Sequence, residues 1–496
     1  MLPKTYSELK EYASRHGVEI ESAVSGILDK KADTSFSFII ILAIMRSKKL
    51  IGVNSYYQFV NFEIICEADA DGKCVLTPNS TVKFHKHESP FTTKKAHEIS
   101  NLDTEINPSL IIAGCGALGS KIAMHLVRSG ITNILFCDPD YLSDHNLCRH
   151  ALLDKSVYKN KASEMRSAIN LIYYHEMLKA DASCRGIKTI LGDAEIMSKR
   201  TPDYLLDFTA SKVAHNQLVN IRNRPTAISA AIFDNGKFGL LMSEGNNGEV
   251  RLDDVMAAFF AQYKTDPIVS SYLMREKELS REPSSLLNVG LGCNSETFIL
   301  ADDIISLYAA SMSVTIKDIF AGNHANGGCW MYISDKFGSL KIQKIEVPQF
   351  YCYDVDTWKV HIFNKVVNDI ADQTKAAGRY ETGGYLIGQC NLKTNTIHVI
   401  DTIEAPEDTI HRGDYLVLGK AGIRKKLSQV ERRTGGTFGY VGEWHSHPNG
   451  PSEFSATDLE EFANKAEEMK ADCTTRPILE LLVSPIGISC AVLTLH

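Results

Sequence analysis

The sequence predicts an α/β protein. A mostly parallel sheet with covering helices is expected in the middle of the chain, a mixed α/β unit after it, and a small α+β region before it. Three observations carry this expectation. The apolar run Ser109–Ala113 stops at a glycine turn and gives way to helical spacing from about Ser120 to Ser129. Further short apolar segments, Asn133–Cys137, Lys188–Leu191 and Tyr204–Asp207, read as strands buried on both faces, as a helix-covered parallel sheet requires. Beyond residue 345, the strand-like stretches Gly384–Ile387, Thr396–Ile400 and Leu481–Ser484 surround a helical segment over Ala456–Ala471.

A length of 496 residues suits two to four domains with full cores. With 44% hydrophobic and 23% charged residues, the composition is that of a globular protein and excludes a disordered or collagen-like chain. Fifty-three basic against sixty acidic residues give a net charge of -7, so no global positive field exists to hold nucleic acid. The twelve cysteines contain no Cys-x-x-Cys pair, and Met1–Lys10 has no signal-peptide pattern. Both features point to reduced thiols and a cytoplasmic location. The greasiest run, Phe36–Met45, falls well short of the roughly 20 residues that cross a bilayer and is expected to be a core strand or helix.

Pattern changes divide the chain into residues 1–103, 104–345 and 346–496. The first block has a helix-like Tyr6–His16 segment and strand-like alternation over Tyr56–Ala68, and carries no legible chemistry. The third opens with Pro348 and the Tyr-rich Gln349–Tyr353, a linker or entry strand, followed by helical periodicity over Trp358–Ala377.

In the middle block, Gly114, Gly116 and Gly119 fit Gly-x-Gly-x-x-Gly between strand and helix, where backbone amides can receive a phosphate. Asp138, at the end of the next strand, stands where a carboxylate can hold a ribose hydroxyl. A hydride-transfer enzyme has no need of the full run Asp138-Pro-Asp140, then Asn146-Leu-Cys-Arg149-His150, then Lys161. An adenylating enzyme must offset triphosphate charge while a carboxylate attacks the α-phosphate, and Arg149 and Lys161 suit that role.

This run resembles the ThiF/MoeB and ubiquitin-activating superfamily over about residues 105–345. The resemblance implies a Rossmann-like adenylation domain using ATP with Mg²⁺, in which Asp138 and Asp140 form the Asp-x-Asp motif and Asp138 holds the ribose. Asn146 and Arg149 would then meet the phosphates and Lys161 the triphosphate, with Lys159 an alternative two residues away. The sequence departs from the family after Asp207, where Phe208-Thr-Ala210-Ser211 lacks the usual metal-binding Asp. Either Asp207 or another acidic group supports Mg²⁺, or adenylation is weak or lost.

Activating enzymes that pass a protein onward use a Cys thiolate, favoured at a helix N-terminus. Cys293, in a glycine-containing loop before the helical Ile299–Ala310 segment, is the candidate, and its surroundings are similar to a Gly-Cys-x-x-x-Thr-Phe stretch of bacterial activating enzymes. Cys329 is the second choice, and Cys115 and Cys148 lie too near the nucleotide to be favoured.

Near the C-terminus stands His445-Ser-His447-Pro448, followed by Ser455 and Asp458. Histidines on alternate residues of a strand project to one side, and a carboxylate at a helix start completes a three-ligand zinc site. Water there needs a carboxylate to accept its proton, for which Glu381 is placed before Thr382-Gly-Gly384, and Ser455 can donate to the developing oxyanion. This constellation resembles the JAB/MPN (JAMM) metalloprotease family at every motif position. The resemblance implies cleavage of isopeptide or peptide bonds beside the C-terminus of ubiquitin-like proteins.

The expected whole is therefore an activating domain fused to a zinc isopeptidase, resembling fusions in bacterial ubiquitin-like conjugation operons with an antiphage role. Expected partners are a ubiquitin-like or sulfur-carrier protein ending in Gly and an E2-like conjugating enzyme, with no nucleic acid or membrane. A homodimer follows from the resemblance alone. The alternatives are sulfur-carrier activation, which needs no thioester Cys, a middle domain that only presents substrate, and an NAD-dependent oxidoreductase joined to a hydrolase.

Overall fold

The computed structural model describes residues 2–28, 36–71, 73–103, 106–279, 286–288, 296–298, 300–335, 338–413, 415–471 and 476–494, with the side chains of 276–279, 286–288, 296–298 and 466–471 left aside. The chain forms two compact units. The first comprises Met1–Asn107 with Arg128–Thr132 and Asn170–Leu178. In it the strands Phe36–Leu50 and Ser55–Ala68 form a long antiparallel hairpin, and Val82–His85 pairs with the second strand. Leu42, Ile44, Val60, Phe62 and Ile64 bury one face against Leu9 and Ala13 of the helix Tyr6–Arg15. The apolar run at Phe36 is thus a half-buried strand: Ile39, Ile41 and Met45, on the opposite face, are 60%, 59% and 70% exposed.

The second unit comprises Pro108–Val127, Asn133–Ile169 and Lys179–His496. Its eight-stranded sheet contains, in spatial order, Thr226–Phe233, Tyr204–Asp207, Leu110–Ala113, Ile134–Cys137 and Asp181–Ser183, all parallel. Phe238–Ser243, Gly328–Ser334 and Leu340–Ile345 extend it antiparallel. Lys188–Leu191, expected as a strand, lies instead in the helix Ile187–Leu191. Gly186 caps this helix, and Ile187 and Ile190, three residues apart, are its buried face. A short apolar run fits either element, and here the neighbouring Asp181–Ser183 takes the strand position.

A second, seven-stranded sheet runs Phe350–Val355, Trp358–Phe363, Thr396–Glu404, Gly383–Asn391, Gly439–Ser446, Ile478–Ser484 and Gly487–Leu493. The Tyr-rich stretch is its edge strand. The helix expected over Trp358–Ala377 is split: Trp358–Phe363 is a strand with Val360 and Ile362 fully buried, and the helix is Asn364–Ala377. Strand partners on both sides override the helical spacing there. Both sheets share one apolar core, in which Phe260 of the helix Leu252–Ala261 lies 4.8 Å from Phe438, ring centre to ring centre.

Candidate functional site

The strand Gly439–Ser446 lies between Gly383–Asn391 and Ile478–Ser484 and carries His445 at its end, with His447 just beyond. Glycine follows Thr382 for a steric reason: a Cβ at Gly383 would stand 2.4 Å from the Trp444 carbonyl oxygen. Asp458 sits in the first turn of the helix Ala456–Ala471, where the Ser455 amide donates to its carboxylate (2.7 Å) and its own amide donates to Ser455 Oγ (3.1 Å). This reciprocal cap fixes the carboxylate opposite the histidines. His445 Nε2 is 3.6 Å from Asp458 Oδ1, and His447 Nε2 is 3.5 Å from Asp458 Oδ2.

The protons are equally well placed. His445 Nδ1 donates to Glu480 Oε1 at 3.0 Å, and His447 Nδ1 donates to the Pro451 carbonyl at 3.3 Å. Both Nε2 atoms therefore face Asp458, and His445 Nε2 is buried without a hydrogen-bond partner among the described residues. Ligands about 2.1 Å from a tetrahedral zinc ion stand roughly 3.4 Å apart, so these separations fit the ion closely. Burial lowers the His445 pKa, but the neighbouring Asp458 and Glu480 carboxylates outweigh it and raise it to about 9. Burial acts to raise the Asp458 pKa, and His445 and Ser455 more than reverse that.

Glu381 is buried. Its amide donates to the Arg412 carbonyl at 2.7 Å, its own carbonyl accepts from His411 Nδ1 at 2.9 Å, and its Oε1 lies 3.9 Å from His447 Nε2. Ser455 is exposed beside Asp458. The five residues Glu381, His445, His447, Ser455 and Asp458 thus come together. Glu480 was missed from the sequence, although a lone acid in the apolar run Ile478–Ser484 is the signal of a buried, partnered carboxylate.

At the glycine loop, a Cβ on Gly119 would stand 2.0 Å from the Gly114 carbonyl oxygen, so the turn requires glycine there, whereas a Cβ on Gly116 would meet only open space. Asp138 is buried, its Oδ2 accepting from the Cys115 amide (2.7 Å) and its Oδ1 from the Asp140 amide (2.8 Å). Burial raises its pKa against those bonds and Lys161. Lys161 Nζ is 3.2 Å from Asp140 Oδ2, while Lys159 lies 3.9 Å from Glu164, so Lys161 is the lysine at the loop. Asn146 Oδ1 accepts from the Ser143 amide in a short 3-10 turn, and Arg149 follows, half-buried.

His150, quoted in the motif without a role, is buried against this loop. Its Nδ1 accepts from the Leu152 amide (3.0 Å), so Nε2 carries the proton and donates to the Cys115 carbonyl (2.6 Å). Burial brings its pKa down to about 4. Asp207 accepts from the Thr209 amide (3.0 Å) and hydroxyl (2.6 Å) and lies 3.4 Å from Ser229 Oγ, while Ala210 holds a left-handed φ of 53°. Cys293 lies outside the described residues. Cys329, the second choice, does not fit a nucleophile: it is fully buried in Gly328–Ser334, and burial raises its pKa strongly.

Residues 104–235 match the ThiF family, and residues 363–491 match the prokaryotic homologs of the JAB domain. The chain carries a ThiF domain and a JAB domain. The glycine loop, Asp138, Lys161 and Asp207 fall within the ThiF match, and Glu381, His445, His447 and Asp458 within the JAB match. Two curated proteins of Enterobacter hormaechei subsp. hoffmannii (strain UCI 50) are similar. A CD-NTase/cGAS isopeptidase is 28% identical over 130 residues, 26% of this chain and 71% of that protein. The ATP-dependent ubiquitin transferase-like protein Cap2 is 35% identical over 103 residues, 20% of this chain and only 16% of Cap2. Among solved structures, MccB of E. coli aligns with 49% of this chain and 64% of its own at 15% identity, with a TM-score of 0.33. Among the described residues, no helix is long and apolar enough to cross a membrane.

Proposed function

We propose that residues 346–496 are a zinc-dependent isopeptidase acting beside the C-terminal Gly of a ubiquitin-like protein, and that residues 104–345 use ATP with Mg²⁺ to activate the same terminus. The observation that carries this reading is the pair of Nε2 atoms of His445 and His447 facing Asp458, that of His445 without a hydrogen-bond partner among the described residues, with Glu381 alongside. Zinc held by those three ligands supplies Lewis acidity toward a scissile carbonyl and toward water. Glu381 takes the proton of the attacking water at its carboxylate and hands it to the leaving amine, and the Ser455 hydroxyl donates to the carbonyl oxygen as it gains charge.

In the ThiF domain, the carrier's terminal carboxylate attacks the α-phosphorus and pyrophosphate leaves. Lys161 and Arg149 offset the charge, Asn146 positions phosphate and Asp138 turns to the ribose; the Cys293 thiolate then attacks the acyl carbon, and AMP leaves. The names of the two similar Enterobacter proteins support a place in a bacterial ubiquitin-like conjugation pathway of antiphage type. An E2-like partner, a homodimeric activating domain and a cytoplasmic location belong to the same proposal and rest on the family resemblance alone.

The test uses the full chain and a neighbouring-gene carrier whose Gly terminus is extended by a reporter. Glu381→Gln is expected to keep its zinc and to lower cleavage by about a thousandfold or more. Undiminished cleavage would remove Glu381 from the mechanism and the reading with it.

One observation favours a second reading for the middle domain. Asp207 is bonded to Thr209 and Ala210 replaces the usual carboxylate, which suits a module that binds the carrier without adenylating it. Carrier-dependent exchange of pyrophosphate into ATP decides between the two, because a binding module gives none.

A further inference from the structure

A second cluster of metal-competent side chains lies away from both sites. The strands Trp358–Phe363 and Thr396–Glu404 run parallel with His361 directly opposite His398. Against this pair the helix Leu252–Ala261, which neither family match covers, sets Asp254 in its first turn. Asp254 Oδ1 is 2.5 Å from His361 Nδ1 and 2.9 Å from His398 Nε2. Its Oδ2 accepts from the Arg251 amide at 2.8 Å, which holds the carboxylate in place. All three residues are buried, Asp254 completely.

A second carboxylate lies beside this cluster. Asp253 Oδ2 is 3.9 Å from His398 Nε2, and its Oδ1 is buried with no hydrogen-bond partner among the described residues. Buried polar atoms are ordinarily satisfied, and buried carboxylates ordinarily have a counter-charge. The Arg251 guanidinium does not supply it, being turned to Glu244 (3.2 Å) and the carbonyls of Leu218 and Ile221. Two negative charges in a dry interior call for two protons on the imidazoles or for one divalent cation. Protons alone send both imidazole donors to one oxygen of Asp254 and leave an oxygen of Asp253 with nothing.

We infer that Asp254, His361 and His398 bind a structural zinc ion that ties the helix Leu252–Ala261 to the JAB sheet, with the Asp253 carboxylate beside it. The donor set of two imidazoles and a carboxylate suits zinc. Ligands about 2.1 Å from the ion stand roughly 3.4 Å apart, so the His361 and His398 nitrogens each need to draw back from Asp254 Oδ1 by less than about 1 Å. The Asp401 carboxylate, which accepts from Tyr263 Oη at 2.6 Å, makes a second polar tie across the same junction.

The test counts zinc in the full chain by mass spectrometry after growth in zinc and dialysis against a mild chelator. The unmodified protein is expected to hold about two ions per chain, and the His445→Ala/His447→Ala variant about one. Adding His398→Gln to that variant should remove the last ion and lower its melting temperature. A folded His445→Ala/His447→Ala variant without zinc overturns the inference while leaving the JAB reading intact. One ion in both proteins does the reverse. Should the variants fail to fold, an anomalous difference map at the zinc edge from crystals of the unmodified chain decides: a peak between His361 Nδ1 and His398 Nε2 supports the site, and an empty position overturns it.

Discussion

The JAB site and the glycine loop of the ThiF domain handle their polar groups in opposite ways. At the JAB site the hydrogen bonds run outward, from His445 to Glu480 and from His447 to Pro451, so both Nε2 atoms face inward and that of His445 is left without a hydrogen-bond partner among the described residues. At the glycine loop they run inward: Asp138 closes on the Cys115 and Asp140 amides, Lys161 on Asp140, and Asp207 on Thr209. The JAB side chains are already held in place from outside, whereas a nucleotide at the glycine loop has to exchange existing bonds for its own. Rigidity is therefore expected at the first site and rearrangement at the second.

Three measurements put that contrast at risk. The largest effect is expected from Gly119→Ala, whose new methyl collides with the Gly114 carbonyl. ATP binding, measured by calorimetry, should fall by about 100-fold or more while zinc content stays unchanged. Unaltered ATP affinity would detach the nucleotide from this loop. Next, Glu480→Gln removes the carboxylate behind His445 and should weaken zinc binding by about 10- to 100-fold in chelator competition. Equal affinity would show that the outward bonds do not prepare the ligands.

The smallest effect is a pH dependence. The His150 pKa falls from 6.5 to about 4 on folding because burial disfavours its charged form. Between those values the unfolded chain binds the extra proton, so stability is whole above pH 6.5 and declines as pH falls toward 4. The loss is at most about 3 kcal/mol. His150→Gln, which keeps a donor toward the Cys115 carbonyl, should flatten that part of the denaturation profile. An unchanged slope would assign the pH dependence to other groups.

Much of the fold was legible from local pattern. The Tyr204–Asp207 strand and the Ala456–Ala471 helix stand where spacing puts them, because each has one period and a clear boundary. Lys188–Leu191 and Trp358–Phe363 run against their expected elements because segments of four to six residues with two to four apolar ones satisfy both periods, and long-range partners decide between them. The cluster of His445, His447 and Asp458 was legible because strand alternation and a helix cap place these residues locally. Glu480 and His150 were not, since their roles depend on strands and loops distant in sequence, and neither did sequence reveal that Cys329 is sealed in a sheet.

The common core beneath the two sheets has a practical corollary. Phe260, Val360 and Phe438 belong to one apolar mass although the stretches that supply them straddle residue 345. Cutting the polypeptide there, by protease or by cloning, would leave a greasy scar on each fragment. The two sheets are thus soldered rather than hinged, and neither half is expected to hold its shape alone.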